Sequence, residues 1–137
     1  MARPVKFRFW DKVNKCWSND CLYIDEDGDI YEIEERSASY QTYMYRKCVN
    51  ERYEKVEFTG LKDKNGVEIY EGDIVLLNHM GMRGIYTTHE EVRFQDGVFE
   101  VYDHNLLRGC HTICEVIGSI YEHPNLLTSD VSEPSTR

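Results

Sequence analysis

The strongest chemical candidate in the chain is Cys110-His111-Thr112-Ile113-Cys114, with Cys16 and Cys21 as further thiols. Thiolate and imidazole are the ligands a tetrahedral zinc takes. The spacing argues against a site. On a strand, Cys110 and Cys114 lie about 13 Å apart at ~3.3 Å per residue, too far for ~2.3 Å bonds to one ion. Only a turn or helix brings them together, so thiols of the core or surface are the expectation. Asp25-Glu26-Asp27-Gly28-Asp29 offers hard oxygen ligands for calcium. The EF-hand pattern fails there, because Ile30 stands where its glycine belongs and Arg36 where its bidentate Glu belongs. A solvated acidic turn is expected instead.

The chain has no G-x-S-x-G, H-E-x-x-H or G-x-x-x-x-G-K-[ST] pattern for nucleophilic, zinc or phosphate chemistry. His79, His89, His104 and His111 sit in or beside expected loops and read as solvent-facing. Glu90 and Glu91 are adjacent on an expected strand, so they point to opposite faces and share no site. No catalytic, cofactor or metal residue is assigned, and a nonenzymatic protein is expected. Trp10, Trp17, Tyr23 and Tyr31, with Arg8 and Lys12, could form a platform for single-stranded nucleic acid. The rival reading has these rings filling a core and its rim.

Charge favours the rival. The formal net charge is −9, whereas duplex affinity comes from Lys and Arg neutralising phosphates. Residues 1–57 carry 12 acids and 10 bases, and residues 58–137 carry 13 acids and 6 bases. A basic patch is therefore confined to the first part, around Arg3, Lys6, Arg8 and Lys12. The acidic second part would suit DNA mimicry, although ordinary solubility explains the same charge.

The positioning elements read as strands. Ten Tyr, five Phe and two Trp in short segments with Val and Ile favour pleated surfaces. Val5, Phe7 and Phe9 alternate with polar neighbours, and Asp11–Lys15 loops back into Cys16-Trp17. Leu22–Ile24 and Ile30–Ile33 flank a turn in which Gly28 takes positive φ. Residues 34–57 show no sustained period and read as irregular, with one short helix around 45–54. Asn65-Gly66 suits a type I′ turn, and Ile74–Leu77 reads as a strand buried on both faces. His79–Gly84 reads as a mobile loop. Ile85–Phe94 and Val98–Tyr102 bracket an Asp96-Gly97 hairpin turn, and Cys114–Gly118 is a further strand. Thr128–Arg137, rich in Ser, Thr and Pro, reads as a disordered tail.

These elements give an all-β chain. Residues 1–57 form an N-terminal β-rich subdomain, 58–127 a C-terminal barrel of the SH3-like type, and 128–137 a tail. Five cysteines, an odd count, and a charged start without an apolar leader segment suggest reduced thiols in the cytoplasm. No run approaches the roughly 20 apolar residues that span a bilayer.

The stretch Phe58-Thr59-Gly60-Leu61-Lys62-Asp63-Lys64-Asn65-Gly66, followed by Glu68-Ile69-Tyr70-Glu71-Gly72-Asp73-Ile74-Val75, resembles the signature of the YopX family of bacteriophage and prophage proteins. Phe7–Asp11 and Val116–Pro124 are similar to two further family segments, in the family's order. Phe58 stands where Tyr is usual, and Ser119 and His123 where Asn is usual. The resemblance implies an incomplete β-barrel followed by an SH3-like barrel, in a phage-derived protein inside a bacterium. It implies no activity and carries over no catalytic residue. The expectation is a noncatalytic module that binds a protein partner or self-associates, with a nucleic-acid-linked role as the alternative. The working surface is expected in 34–57 and 78–93, which match the family least.

Overall fold

The computed structural model describes residues 5–101 and 106–128. Arg3, Tyr102, His104 and the tail beyond Thr128 lie outside the described residues. The chain is mainly β and divides into two compact units, one formed by Arg8–Lys55 and the other by Phe7 and the residues before it together with the chain from Val56 onward. Strands β1 (Phe7–Asp11) and β6 (Tyr53–Lys62) contribute residues to both.

In the Arg8–Lys55 unit, β1 turns back into β2 (Cys16–Trp17) with Trp10 opposite Trp17. A three-stranded antiparallel sheet follows in the order β3 (Tyr23–Ile24), β4 (Ile30–Ala38) and β5 (Gln41–Cys48). Its core is small: Ile30, Val49 and Tyr53, with Phe9 and Leu22 against them. Residues 34–48, expected to be irregular with a helix near 45–54, are instead a hairpin in register from Tyr31↔Cys48 to Ala38↔Gln41, turning at Ser39 with φ 56°. The reason lies in exposure. From Glu35 to Ala38 and over most of β5 both faces are open to solvent, so nothing selected the apolar alternation by which a strand is recognised.

In the other unit, β6 pairs with β7 (Glu68–Tyr70), and a second antiparallel sheet has the order β12 (Glu115–Ser119), β8 (Asp73–Gly81) and β9 (Gly84–Glu91). β10 (Arg93–Gln95) and β11 (Val98–Glu100) form a two-stranded sheet. Two turns of 3-10 helix, Leu107–Gly109 and His111–Ile113, precede β12, and α1 (Asn125–Thr128) follows it. Ile69, Val75, Leu77, Val92, Val101 and Leu107 fill the core together with Cys114. The expected loop at 79–84 is strand: β8 runs on to Gly81, and only Met82 and Arg83 turn before β9. Gly81 and Gly84, which suggested a loop, close the hairpin as its last pair. The expected single strand 85–94 is divided at Val92, whose N–H donates to the Asp73 carbonyl and whose carbonyl accepts from Gly72.

Aspartates organise the turns. Asp63 is 5% exposed. Its Oδ1 accepts from the N–H groups of Asn65 (2.8 Å) and Val67 (2.9 Å), and its Oδ2 from Val116 at the edge of β12 (2.8 Å). Gly66 N–H donates to the Asp63 carbonyl and Asp63 N–H to the Val67 carbonyl. The expected type I′ turn at Asn65-Gly66 is therefore wrong. Gly66 has φ 83°, Asn65 has negative φ, and the loop has three residues with the glycine in the left-handed position. The Asp63 carboxylate decides this, because holding Asn65 and Val67 N–H groups on one oxygen requires the wider loop. Asp25 repeats the pattern with Asp27, Gly28 and Asp29. The two-residue turn with both central φ positive is at Asp96-Gly97, with φ 51° and 83°.

Burial acts most strongly on the Asp63 carboxyl, pushing its pKa up, yet the bonds from Val116, Val67 and Asn65 together outweigh it and the net shift is downward. The Asp29 N–H chiefly lowers Asp25, and the Arg52 guanidinium chiefly lowers Asp11. A carboxyl lowered in the folded state contributes stability above its unfolded pKa and loses it as pH falls through the folded value. Urea midpoints should therefore hold from neutral pH to about pH 4 and decline below it. Asp63→Asn places an amide N–H against the Val116 N–H, and should cost about 1–3 kcal/mol at pH 7 by urea unfolding. It should also flatten the acid decline. Gly66→Val, forced to positive φ in otherwise open space, should cost ~1 kcal/mol or more in the same assay.

Candidate functional site

The residues suggested by chemistry are used by the fold. Cys114 is fully buried in the core and Cys110 partly so. Residues 110–114 form turns rather than the strand considered above. Burial, with lesser help from nearby Cys110 and Asp63, pushes the Cys114 thiol up to about 12, and burial raises Cys110 too. The His111 ring donates from Nδ1 to the Lys62 carbonyl at 2.7 Å. Cys16 and Cys21 are exposed residues of the Arg8–Lys55 unit. Among the described residues no group of three or more His, Cys, Asp or Glu is placed to hold a metal ion.

His79 and His89, expected in or beside loops, are on strands. His79 lies on β8, stacks on Tyr86 at 5.0 Å and bonds Thr88 Oγ1 at 2.6 Å. His89 lies on β9 and donates to the Leu126 carbonyl. Glu90 and Glu91, also on β9, stand opposite Val75 and Ile74 and face opposite sides of the sheet. Within Asp25–Asp29, Asp25 Oδ1 accepts from the Asp27 and Asp29 N–H groups of its own turn, and Asp29 Oδ1 accepts from the side-chain amide of Asn50.

The ring group of the Arg8–Lys55 unit is not an open platform of stacked faces. Trp10 is buried edge-on against Trp17 at 5.1 Å. The Arg8 guanidinium covers Trp17 at 3.9 Å, and that of Arg46 covers Tyr31 at 4.3 Å. Lys12 reaches the Asn50 carbonyl at 3.5 Å. Tyr23 is exposed, with its hydroxyl beside the Cys21 thiol.

Several large apolar side chains are left open to solvent. In the Val56 unit, Met80 and Ile85 face each other across the outer end of the β8–β9 hairpin, and Met82 occupies its turn; all three are exposed. The run Met80-Gly81-Met82-Arg83-Gly84-Ile85 is the local signal for this tip, and it lies inside the 78–93 segment expected to carry function. The same unit has an open groove of about 530 Å³ beside the β10–β11 hairpin, lined by Leu61, Phe94, Val98, Phe99, Leu106 and Arg108. Sequence reasoning missed this groove, because its lining comes from distant segments and gives no local pattern. In the Arg8–Lys55 unit, Ile33, Tyr40, Tyr43 and Met44 are exposed on the β4–β5 hairpin. Ile33 and Met44 lie on one face of that hairpin, and the face that carries Tyr43 is otherwise polar and internally paired: Tyr45 hydroxyl donates to Glu34, which also meets Arg36 and Lys47.

Iodoacetamide at pH 8 should label Cys16, Cys21 and Cys48, which are exposed, and leave Cys114 unmodified in the native protein. Its raised pKa keeps Cys114 protonated, and the thiolate is the reacting form. Peptide mass spectrometry before and after unfolding checks this.

No curated protein sequence matches the chain. Solved structures do. Protein EF1440 from Enterococcus faecalis superimposes with a TM-score of 0.63 at 27% identity, over 92% of this chain and 99% of that one. YopX from Bacillus subtilis superimposes with a TM-score of 0.58 at 26% identity, over 92% of this chain and 97% of that one. The family model for YopX protein matches residues 6–128, a span that includes the Asp63 turn, the strands of both units and the exposed hairpins, and the chain belongs to the YopX family.

Proposed function

We propose that this protein is a noncatalytic interaction module, phage-encoded and working in the bacterial cytoplasm, that binds a protein partner or itself. The observation that carries the reading is the apolar tip of the β8–β9 hairpin, where Met80, Met82 and Ile85 are 80%, 104% and 67% exposed. Exposed apolar area contributes nothing to folding, while covering it against a partner yields roughly 25 cal/mol per Å² before the costs of association. A two-stranded ribbon extending past its core is also marginally stable in water, and packing against a partner supports it. Methionine adapts to irregular contact surfaces.

The hairpin is stiffened for such a role. β8 begins in the core at Ile74 and Val75 and continues unbroken to Gly81, and the His79–Tyr86 stack lies on the face opposite Met80 and Ile85. The reading takes the two units as an incomplete barrel and a small SH3-like barrel, scaffolds that hold hairpins outward. The β4–β5 hairpin, with exposed Tyr40, Tyr43 and Met44, is a second projection of the same kind.

The variant Met80→Ser/Met82→Ser/Ile85→Ser should keep its thermal midpoint, since these side chains make little buried contact. Sedimentation velocity should show loss of any self-association, and quantitative affinity capture from the host should show loss of identified partners. An unchanged oligomeric state together with an unchanged partner set would sink the reading.

A further inference from the structure

We propose that the groove beside the β10–β11 hairpin binds an extended segment of a partner protein in which a large apolar side chain lies two residues from a carboxylate. The proposal rests on the reading of the protein as an interaction module and names what one of its surfaces takes. Phe94, Val98 and Leu106 are 50%, 39% and 39% exposed along the groove. Phe94 packs edge-on against Phe99 at 4.9 Å, which holds the two rings in place as an apolar wall. A volume of about 530 Å³ admits one large side chain with its flanking backbone.

Charge selects the neighbour of that side chain. Arg108 lines the groove, is exposed, and forms no ion pair among the described residues. A guanidinium matches a carboxylate with two parallel hydrogen bonds, and in residues 58–137 acids outnumber bases 13 to 6. A cation left beside an apolar groove in such a stretch favours an acidic occupant. In an extended chain, side chains two apart project to the same side at roughly 7 Å, which lets one fill the groove while the next reaches Arg108.

Two observations narrow the occupant further. Among the described residues β10 is the end strand of a two-stranded sheet, so Arg93–Gln95 presents an edge to which an extended backbone can add. A small apolar acid makes no use of that edge. The apolar tip of a second copy also fits poorly, because Arg83 follows Met82 and would face Arg108 as a like charge.

The test is selection of a random hexapeptide library, displayed on phage, against the full folded chain. Wild type should enrich Phe, Leu, Ile or Met with Asp or Glu two positions away. Arg108→Glu, an exposed change whose folding is checked by an unchanged thermal midpoint, should replace the acid with Lys or Arg. It should also weaken the wild-type consensus peptide about tenfold. No enriched peptide, acid enrichment that survives Arg108→Glu, or displacement of every selected peptide by octanoate alone would overturn the proposal. The Met80/Met82/Ile85 variant should bind the selected peptide as wild type does, so failure at the groove is distinguishable from failure at the tip.

Discussion

The Asp63 carboxylate is the interaction on which the family signature depends. Its two oxygens take the N–H groups of Asn65, Val67 and Val116, tying a tight loop to a strand that lies 53 residues later in the chain. Such bonds to an ionised acceptor are stronger than neutral ones, and a carboxylate this buried tolerates its site because they are made. Lys64 N–H adds a bond to the Cys114 carbonyl, so the loop holds the start of β12 from two points. Two other polar residues of the signature act in the same way. Thr59 hydroxyl donates to the Ile69 carbonyl and accepts from Leu61 N–H, and Asp73 Oδ2 accepts from Tyr70 N–H. Thr59, Asp63 and Asp73 thus complete the backbone's hydrogen bonding where strands turn.

That role has a functional consequence. Side chains bound to backbone in this way serve the fold, and His79, His89 and His111 each lean on a neighbour, Thr88, the Leu126 carbonyl and the Lys62 carbonyl respectively. Chemistry-bearing residue types are therefore abundant without forming a reactive cluster among the described residues. Large apolar side chains that face solvent cluster at the β8–β9 tip, the β4–β5 hairpin and the groove against Phe94. Each is anchored by strands whose roots lie in a core, with β8 rooted at Val75 and Leu77 and β4 at Ile30. Exposure at the tip and burial at the root give a stiff projection, which keeps the entropy lost on binding small.

Part of this was legible in the residues. Glycines with acidic neighbours announced the turns at Gly28 and Gly97, the apolar run Ile74–Leu77 announced the central strand, and the long motif announced the family. Those signals are local, since φ > 0 at a glycine or burial of a continuous apolar run needs no knowledge of the remaining chain. The strands of 34–48 were not legible, because with both faces wet their side chains carry no period. The Asn65-Gly66 loop was misread for a different reason. Its dipeptide favours one turn, and the carboxylate two residues earlier, itself held by Val116, imposes another.

Sequence by itself determined the β character, most hairpins, the absence of recognised catalytic motifs and the family. Tertiary structure decided which polar residues are occupied and which apolar ones are left open. The groove joins Leu61, Phe94, Leu106 and Arg108 from separate segments, and the exposure of Met80 and Ile85 follows from where the core ends along β8. Occupancy and exposure are properties of what the folded chain places beside a residue, and neighbours in sequence do not specify them.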